Sequence, residues 1–186
     1  AESKGDGRLS YCLKSCGLDG EDGKTSATVD GLLDTYSDYG GFYISYMCVS
    51  SDGSIFLGTD TEVLALSSDF VKKFSVTTYN YITAMSLSNT GEVYIASFFE
   101  NGSGIAKVDE ETKALSDPIY PGDKVRQIFF GDGYDLYLTQ DDGFYGCTVT
   151  ENGCEVEMLM NYTSSDSTAD SFTIVSVIDK DPDRKS

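Results

Sequence analysis

The sequence contains no histidine, and this removes the commonest general base, imidazole metal ligands, and both Ser-His-Asp and Cys-His nucleophilic catalysis. No glycine-rich phosphate loop follows a strand and opens a helix, so nucleotide binding has no support. Asp and Glu number 31, but nothing singles out the pair of carboxylates that sugar hydrolysis uses. We therefore expect no catalytic residues and no cofactor, and we predict that the chain is not an enzyme. The alternative is a carbohydrate-active enzyme with paired carboxylates.

Three acidic residues near the carboxyl end have the opening spacing of a calcium loop: Asp179, Asp181 and Asp183. A calcium loop also needs a glycine at its sixth position and a distal glutamate. Arg184 occupies that sixth position, and no glutamate follows. We interpret the segment as an acidic tail and predict no metal site.

The five cysteines form an odd set, so at least one is unpaired within a monomer. A two-residue turn at Asn152–Gly153 would place Cys154 opposite Glu151, and Cys147 further along the hairpin near Met158. We therefore expect no disulfide between these two cysteines, and no disulfide framework from the full set: Cys12, Cys16, Cys48, Cys147 and Cys154.

Three residues of the second half are candidates for ligand contact. Arg126 could meet an acidic ligand or a carboxylate of a partner. Phe98 and Phe99 would lie at the tip of a hairpin if Asn101–Gly102 forms its turn, where aromatic rings can serve recognition. These residues are the predicted ligand-binding site.

An aromatic group before residue 44 is a second candidate region. Tyr36 and Tyr39 lie close to Phe42 and Tyr43, beside Gly40–Gly41. The group could line a recognition surface, or it could attach the leader to the folded repeats, and the second interpretation is favoured because aromatic side chains at a chain entry usually pack.

Repeated strand patterns indicate the elements that must position these residues. A six-residue apolar segment occurs four times, at offsets of 38, 43 and 47 residues, and in the first three copies a turn and a second apolar strand follow. The four segments are Ile44–Val49, Ile82–Leu87, Val125–Phe130 and Phe172–Val177. Apolar residues occupy both faces of these segments, which predicts interior strands buried on both sides.

Each complete unit continues with a third and a fourth short strand, so that four strands fit into about 40 residues, the size of one propeller blade. The sequence predicts an all-β, propeller-like array of four-stranded antiparallel blades, three complete and a fourth partial. The predicted units are residues 43–80, 81–123, 124–170 and 171–186. Residues 1–42 are predicted to be a polar leader with one strand from Leu9 to Cys16 and a loop.

The stretch from Cys48 to Leu66, CVSSDGSIFLGTDTEVLAL, resembles the repeat of two-component-regulator-type propellers. That repeat has a strand, an Asp-Gly turn, an aromatic strand and Gly-Thr before a short third strand. Here Phe56, Tyr94 and Tyr137 replace its usual tryptophan, and the second copy has Ala96-Ser97 for Gly-Thr. The resemblance covers residues 43–178 and implies the propeller architecture. It also implies similarity to the propeller domains of bacterial surface lipoproteins and sensors.

The fourth copy lacks its second to fourth strands, although a closed propeller needs at least about four blades. We expect an excised part of a longer propeller, or a small incomplete ring whose exposed edge is covered by residues 17–42 or by another chain, such as a second copy in a homodimer.

Composition limits the partners. With 13 basic and 31 acidic residues the net charge is −18, which opposes nucleic acid and anionic membrane surfaces. No apolar segment is long enough for membrane insertion. A polar leader without a signal peptide favours an extracellular or cell-surface location, as part of a larger secreted or lipid-anchored bacterial protein. The predicted function is a non-enzymatic ligand-binding or sensing module for a protein or carbohydrate ligand; a structural spacer is a further alternative.

Overall fold

The computed structural model describes residues 44–78, 80–151 and 153–162, together with the backbone of four short strands nearer the amino terminus. Those strands are β1 (Glu2–Ser3), β2 (Leu9–Ser10), β3 (Cys12–Lys14) and β4 (Thr25–Thr28). β1 pairs with β2 and β3 pairs with β4, both antiparallel. The sequence predicts one strand from Leu9 to Cys16, whereas the described part of that segment is divided between two sheets.

Three antiparallel sheets of four strands follow. Sheet 1 consists of β5 (Tyr46–Val49), β6 (Ile55–Gly58), β7 (Glu62–Leu66) and β8 (Lys72–Thr77). Sheet 2 consists of β9 (Ala84–Leu87), β10 (Val93–Phe99), β11 (Gly102–Asp109) and β12 (Ala114–Leu115). Sheet 3 consists of β13 (Gln127–Phe129), β14 (Leu136–Thr139), β15 (Gly143–Thr150) and β16 (Gly153–Asn161). Because the described part of the chain contains no helix, the predicted all-β class with three complete four-stranded units is confirmed.

Each sheet is a meander, since its strands pair in chain order. The second and third strands carry β-branched, aliphatic and aromatic residues on both faces, a composition that favours strands buried between layers. All residues of β6 and β7 are buried. The sheets therefore stack face to face, with the middle strands in the centre of each layer.

Two hydrophobic cores join consecutive sheets. Between sheets 1 and 2, Phe56 and Val63 pack with Val93 and Ile95. The core between sheets 2 and 3 contains Ala96, Ile105, Leu136 and Leu138. The first strands lie beside one another, β5 next to β9 and β9 next to β13, as they do around the axis of a propeller.

Gly58, at the end of the second strand of sheet 1, lies where the neighbouring sheet approaches closely. A Cβ placed on Gly58 would lie 3.2 Å from Tyr46 Cβ, 3.3 Å from Met85 Sδ and 3.4 Å from Ile82 Cδ1. Two of these three atoms belong to the segment that forms sheet 2 or leads into it. The absence of a side chain thus permits the close approach of neighbouring sheets.

The prediction that both faces of the first strands are buried is wrong for β5. Met47 is 61% exposed and Val49 is 56% exposed, while Tyr46 and Cys48 on the other face are half-buried. The repeat pattern indicates which strand faces pack against other sheets of the array. No described sheet packs against the side of β5 that carries Met47 and Val49. The predicted fourth unit, residues 171–186, lies outside the described residues, and the boundaries of the units stay predictions.

Candidate functional site

The meander brings two kinds of connection to one end of the sheets. Each first strand starts beside the end of its second strand, as shown by hydrogen bonds from Ser45 N to Gly58 O (2.9 Å), Thr83 N to Ala96 O (2.8 Å) and Arg126 N to Thr139 O (2.8 Å). The links between sheets and the turns between second and third strands therefore lie on the same side, which we call the link face. It includes residues 80–83, 100–101, 116–126 and 140–142.

Arg126 is the charged member of three equivalent positions on the link face, the others being Ser45 and Thr83. Its Nε donates a hydrogen bond to Asp141 Oδ1 at 2.6 Å. The side chains remain open to solvent, with 49% of Arg126 and 69% of Asp141 exposed. The hydrogen bond to Asp141 raises the pKa of Arg126, and the hydrogen bond from Arg126 lowers the pKa of Asp141.

Two aromatic rings and a lysine lie in the same region. The rings of Tyr81 and Phe98 are 5.5 Å apart at 59°. Lys124 Nζ lies over both rings, 5.5 Å from the centroid of Tyr81 and 5.8 Å from that of Phe98. Electrostatic interactions connect this group with the ion pair: Tyr81 contributes to the raised pKa of Arg126, and Lys124 contributes to the lowered pKa of Asp141.

These residues form what we call the Arg126 surface. Tyr81 is 50% exposed, and Phe98 and Lys124 are half-buried. Asn80 Nδ2 donates to Phe98 O at 2.8 Å and ties the link before β9 to the end of β10. Exposed aromatic rings next to two cations can bind a ligand that has both an apolar face and a negative charge. The Arg126 surface consists of Tyr81, Phe98, Lys124, Arg126 and Asp141.

The structure separates Phe98 from its neighbour Phe99. Both lie in β10 and not in a loop, and Phe99 pairs with Gly102, so the turn is Glu100–Asn101 and not the predicted Asn101–Gly102. The ring of Phe99 meets Tyr120 edge-on at 6.5 Å. A Cβ on Gly104 would lie 3.0 Å from the Phe99 ring. Phe99 therefore packs across its own hairpin, while Phe98 contributes to the Arg126 surface.

Two other predicted ligand-binding residues, Tyr36 and Tyr39, lie outside the described residues. Sequence reasoning missed Tyr81, Lys124 and Asp141. The repeat contains the signal for two of them, because Tyr81 directly precedes Ile82 as Lys124 directly precedes Val125. An alignment that extended one residue further toward the amino terminus would have placed both on the link face.

The opposite face has a groove of about 450 Å³. Its wall includes Tyr94 and Phe130, whose rings are 5.0 Å apart, together with Glu92 and Asp135. These carboxylates already have partners, since Glu92 Oε1 binds Lys107 Nζ at 2.9 Å and Asp135 Oδ2 accepts a hydrogen bond from Val149 N at 2.7 Å. The groove is thus a less suitable site for a charged ligand than the Arg126 surface.

The structure contradicts the expectation that Cys147 and Cys154 do not pair. They form a disulfide with a Cα–Cα distance of 6.2 Å. The turn lies one residue earlier than predicted, because Thr150 pairs with Gly153, Val149 with Cys154 and Cys147 with Val156. Cys154 lies two positions along β16 from Val156, the residue opposite Cys147, so the two cysteines lie diagonally on the same face of the hairpin.

Other reactive groups are scarce in the described part of the chain. Cys48 is a free thiol whose pKa is raised by burial to about 11, which keeps it protonated at neutral pH. Residues 44–78, 80–151 and 153–162 contain no group of three or more potential metal ligands. The tail with Asp179, Asp181 and Asp183 is outside the described residues. No helix in the described ranges has the length and hydropathy that crossing a membrane requires.

Comparison with known proteins shows the fold. No family model matches the chain, and no curated protein matches it. The selenomethionine-substituted virginiamycin B lyase from Staphylococcus aureus superposes with a TM-score of 0.52 at 15% identity, over 80% of this chain and 48% of the lyase. The Neurospora crassa Pan2 WD40 domain has a TM-score of 0.48 at 10% identity, over 64% of this chain and 35% of that one. The Dos1 propeller has a TM-score of 0.41 at 15% identity, over 86% of this chain and 41% of that propeller.

The chain has a β-propeller fold that is incomplete in its described part, and it spans about half the length of the lyase that it resembles. The likeness also corrects one prediction. Virginiamycin B lyase is an enzyme, so the prediction that this chain is not an enzyme is contradicted. The argument excluded histidine chemistry but did not exclude chemistry by other groups, which a propeller fold can also supply to a reaction.

Proposed function

We propose that this propeller is an extracellular ligand-binding or sensing module that holds a carboxylate-bearing ligand, of the acidic-sugar class, on the Arg126 surface. The observation that carries the proposal is that Lys124 lies over the rings of Tyr81 and Phe98 on the same link face as the Arg126–Asp141 pair. The ligand would lie against the rings and direct its carboxylate toward the two cations.

Charge supports an anionic ligand at this place in particular. The chain has 13 basic residues against 31 acidic ones, so two cations close together stand out from an acidic surface. A guanidinium presents five N–H donors in a planar fork that matches a carboxylate, and the bond from Nε to Asp141 uses one of them. Arg126 can therefore bind a ligand carboxylate while it stays near Asp141.

The two rings support a sugar in preference to a small inorganic anion. The faces of Tyr81 and Phe98 offer apolar area to the C–H face of a pyranose ring, and the phenol and Asn80 offer hydrogen bonds to its hydroxyl groups. A phosphate or sulfate ion would use the cations alone. The combination fits a ligand with a ring and a carboxylate.

The sensing role and the location rest on the sequence. The repeat from Cys48 to Leu66 resembles two-component-regulator-type propellers and the propeller domains of bacterial surface lipoproteins and sensors. Since the fold is shared with a lyase, the ligand that binds here could also be the ligand that is turned over.

Calorimetric titration with oligogalacturonate, and with its methyl ester as the neutral counterpart, tests the proposal. We expect binding of the acid and at least tenfold weaker binding of the ester. Arg126→Ala should weaken binding of the acid about tenfold, because it removes a charge-assisted hydrogen bond of about 1.5–3 kcal/mol, partly screened by solvent. Phe98→Ala should weaken the binding of both the acid and the ester by about two- to tenfold.

Lys107→Ala is the matched control, since Lys107 is also held by a carboxylate, Glu92, but lies at the end of sheet 2 opposite the link face. It should leave binding unchanged. Equal binding of acid and ester, or equal losses in the Arg126 and Lys107 variants, would contradict the proposal. Chromatography of the incubated oligosaccharide shows whether it is also cleaved.

A further inference from the structure

The fourth strands form the outer edges of the three sheets, because the first strands lie side by side at the other edge. A free strand edge presents unpaired backbone N–H and C=O groups, and proteins usually protect such edges with very short strands or with lysine. β12 has two residues, and β8 begins with Lys72 and Lys73. β16 has nine residues, GCEVEMLMN, without lysine or proline. The outer edge of sheet 3 thus lacks the protection that the other two sheets have.

β16 is open to solvent along this edge. In the described part of the chain it pairs with β15 and with no other strand. Met158, Leu159 and Met160 are 43%, 41% and 53% exposed, although all three are apolar. The pairing with β15 is regular from Gly153 to Met158, and the register then skips Leu159. The edge that can accept a further strand therefore extends from Gly153 to Met158 and has an apolar end.

The two faces of β16 differ in chemistry. Successive side chains of a strand point to opposite faces. Val156 packs against the core between sheets 2 and 3, and Met158 follows it on the same face. Glu155 and Glu157 lie on the other face, and both are exposed. Glu157 Oε2 accepts a hydrogen bond from Tyr134 Oη at 2.5 Å, which uses one acceptor site and leaves others for a cationic side chain.

β16 is also held in position before any partner arrives. The disulfide between Cys147 and Cys154 ties it to β15, and the ladder between the two strands begins at the pair Thr150–Gly153. A strand that is already ordered binds at a smaller entropic cost than one that must first fold. The edge is therefore a prepared template for another strand.

We infer that the edge of β16 from Gly153 to Met158 binds an extended peptide of a partner protein, in which lysine or arginine alternates with apolar residues. The peptide adds a strand to sheet 3 through backbone hydrogen bonds, the recognition mode called β-augmentation. Its basic side chains lie beside Glu155 and Glu157, and its apolar side chains lie beside Val156 and Met158. The net charge of −18 favours a basic partner over a second copy of this chain, which would be repelled.

Fluorescence anisotropy with a labelled, capped peptide of alternating lysine and valine tests the inference on the full chain. The wild-type protein should bind this peptide. The fully N-methylated peptide has the same side chains and charge but no backbone donors, so it should bind about tenfold or more weakly. Equal binding of the two peptides would show that charge alone attracts them. That result would overturn the inference, as would the absence of binding.

Substitutions of the carboxylates locate the binding site. Glu155→Gln combined with Glu157→Gln should weaken binding about three- to tenfold at low salt, because two exposed ion pairs are lost. The matched control is Glu110→Gln combined with Glu111→Gln, which removes the same charge from the turn between β11 and β12 and should leave binding unchanged. Equal losses in the two double variants would contradict the site.

A lysine placed on the edge tests the comparison with β8. Met158→Lys should weaken binding, because it gives β16 the kind of residue that protects β8 and repels a basic peptide. Val71→Lys adds the same charge beside β8, at a position that is 64% exposed, and should have no effect. Circular dichroism checks that both variants are folded. Unchanged binding by Met158→Lys would count against the inference.

Hydrogen exchange shows which strand the peptide covers. The amides of residues 153–158 should exchange more slowly in the complex, while those of β8 should not change. Protection of another strand in place of β16 would overturn the inference. Concentration-dependent protection of residues 153–158 without peptide would show that a second copy occupies the edge, and would also overturn it.

Discussion

Phe98 and Phe99 are adjacent in β10 and differ in what they contact. Successive side chains of a strand point to opposite faces. Phe98 therefore joins Tyr81 and Lys124, while Phe99 packs over Gly104 and against Tyr120. A phenylalanine pair that looks uniform in the sequence thus divides into one residue of the candidate site and one residue of the fold.

Substitution of each phenylalanine should separate these roles. Truncation of a fully buried phenylalanine costs about 3–5 kcal/mol, and because Phe99 is half-buried we expect Phe99→Ala to lower the free energy of unfolding by about 2 kcal/mol. Phe98→Ala should cost about 0.5–1 kcal/mol, since it loses mainly the ring contact with Tyr81. Urea denaturation monitored by circular dichroism measures both.

The two variants also control for each other, because each removes the same atoms. Equal losses of stability would show that Phe98 belongs to the core, and the Arg126 surface would then lose its apolar wall. A larger loss for Phe98 would reverse the assignment of the two roles.

At the scale of elements, the turn between the first and second strands is built alike in sheets 1 and 2. Ser50 N donates to Ser54 O at 2.9 Å, and Gly53 N donates to Ser50 O at 2.9 Å. In sheet 2 Ser88 N donates to Glu92 O at 2.8 Å, and Gly91 N donates to Ser88 O at 3.0 Å. Gly53 has φ +84° and Gly91 has φ +86°. Both positions require the left-handed region that glycine adopts most easily.

These two turns provide a matched pair of substitutions. Gly91→Ala should lower the free energy of unfolding by about 1–2 kcal/mol, the usual cost of placing a Cβ in the left-handed region. Gly53→Ala should cost more, because its Cβ would also lie 3.0 Å from Ser68 Cβ, whereas nothing lies within 4 Å of the corresponding atom at Gly91. Thermal or urea unfolding of the two variants measures the difference. A greater cost at Gly91 would contradict the packing of Ser68 against this turn.

The elements could be predicted from the sequence to the extent that each unit repeats. Repeated apolar segments bounded by turn residues located the strands of all three sheets and the Asp52-Gly53 turn. The turns of the two longer hairpins were placed one residue too late, at Asn101–Gly102 and Asn152–Gly153, because a glycine after a turn resembles a glycine within it. That error moved Cys154 out of register with Val149 and concealed the disulfide.

The candidate site was less predictable for a physical reason. Arg126 and Phe98 could be identified singly, since Arg126 departs from its equivalents Ser45 and Thr83, and Phe98 was predicted at the tip of a hairpin. Their connection through Tyr81, Lys124 and Asp141 depends on links of irregular sequence, which approach one another only when the sheets have stacked. Periodicity describes strands and carries no information on such links.

At the scale of the whole molecule, charge and packing oppose each other. The net charge of −18 arises from 31 acidic and 13 basic residues, and mutual repulsion of this size disfavours the compact state. Local attraction is weaker, since the exposed ion pairs Arg126–Asp141 and Lys107–Glu92 are screened by solvent and contribute little to stability. The apolar junctions between sheets therefore have to stabilise the fold against its own charge.

This balance predicts a change in the sign of the salt effect with pH. At pH 7 sodium chloride should raise the melting temperature, because screening reduces repulsion more than it reduces the few exposed attractions. Near pH 4.1, the isoelectric point, the net repulsion is gone. The Arg126–Asp141 pair is still present there, since Arg126 holds the pKa of Asp141 below its ordinary value of 3.8. The stabilisation that Asp141 contributes is lost only when the pH falls through that lowered pKa.

Near pH 4.1 sodium chloride should therefore leave the melting temperature unchanged or lower it slightly. Differential scanning fluorimetry of the dilute protein at both pH values measures how the melting temperature changes with salt. Sodium chloride is raised to about 0.15 M, where the Debye length is about 8 Å. Asp141→Asn serves as the control, since without the ion pair the small negative slope at pH 4.1 should disappear while the positive slope at pH 7 remains. A negative slope at pH 7 would show that local ion pairs outweigh the net charge of the chain.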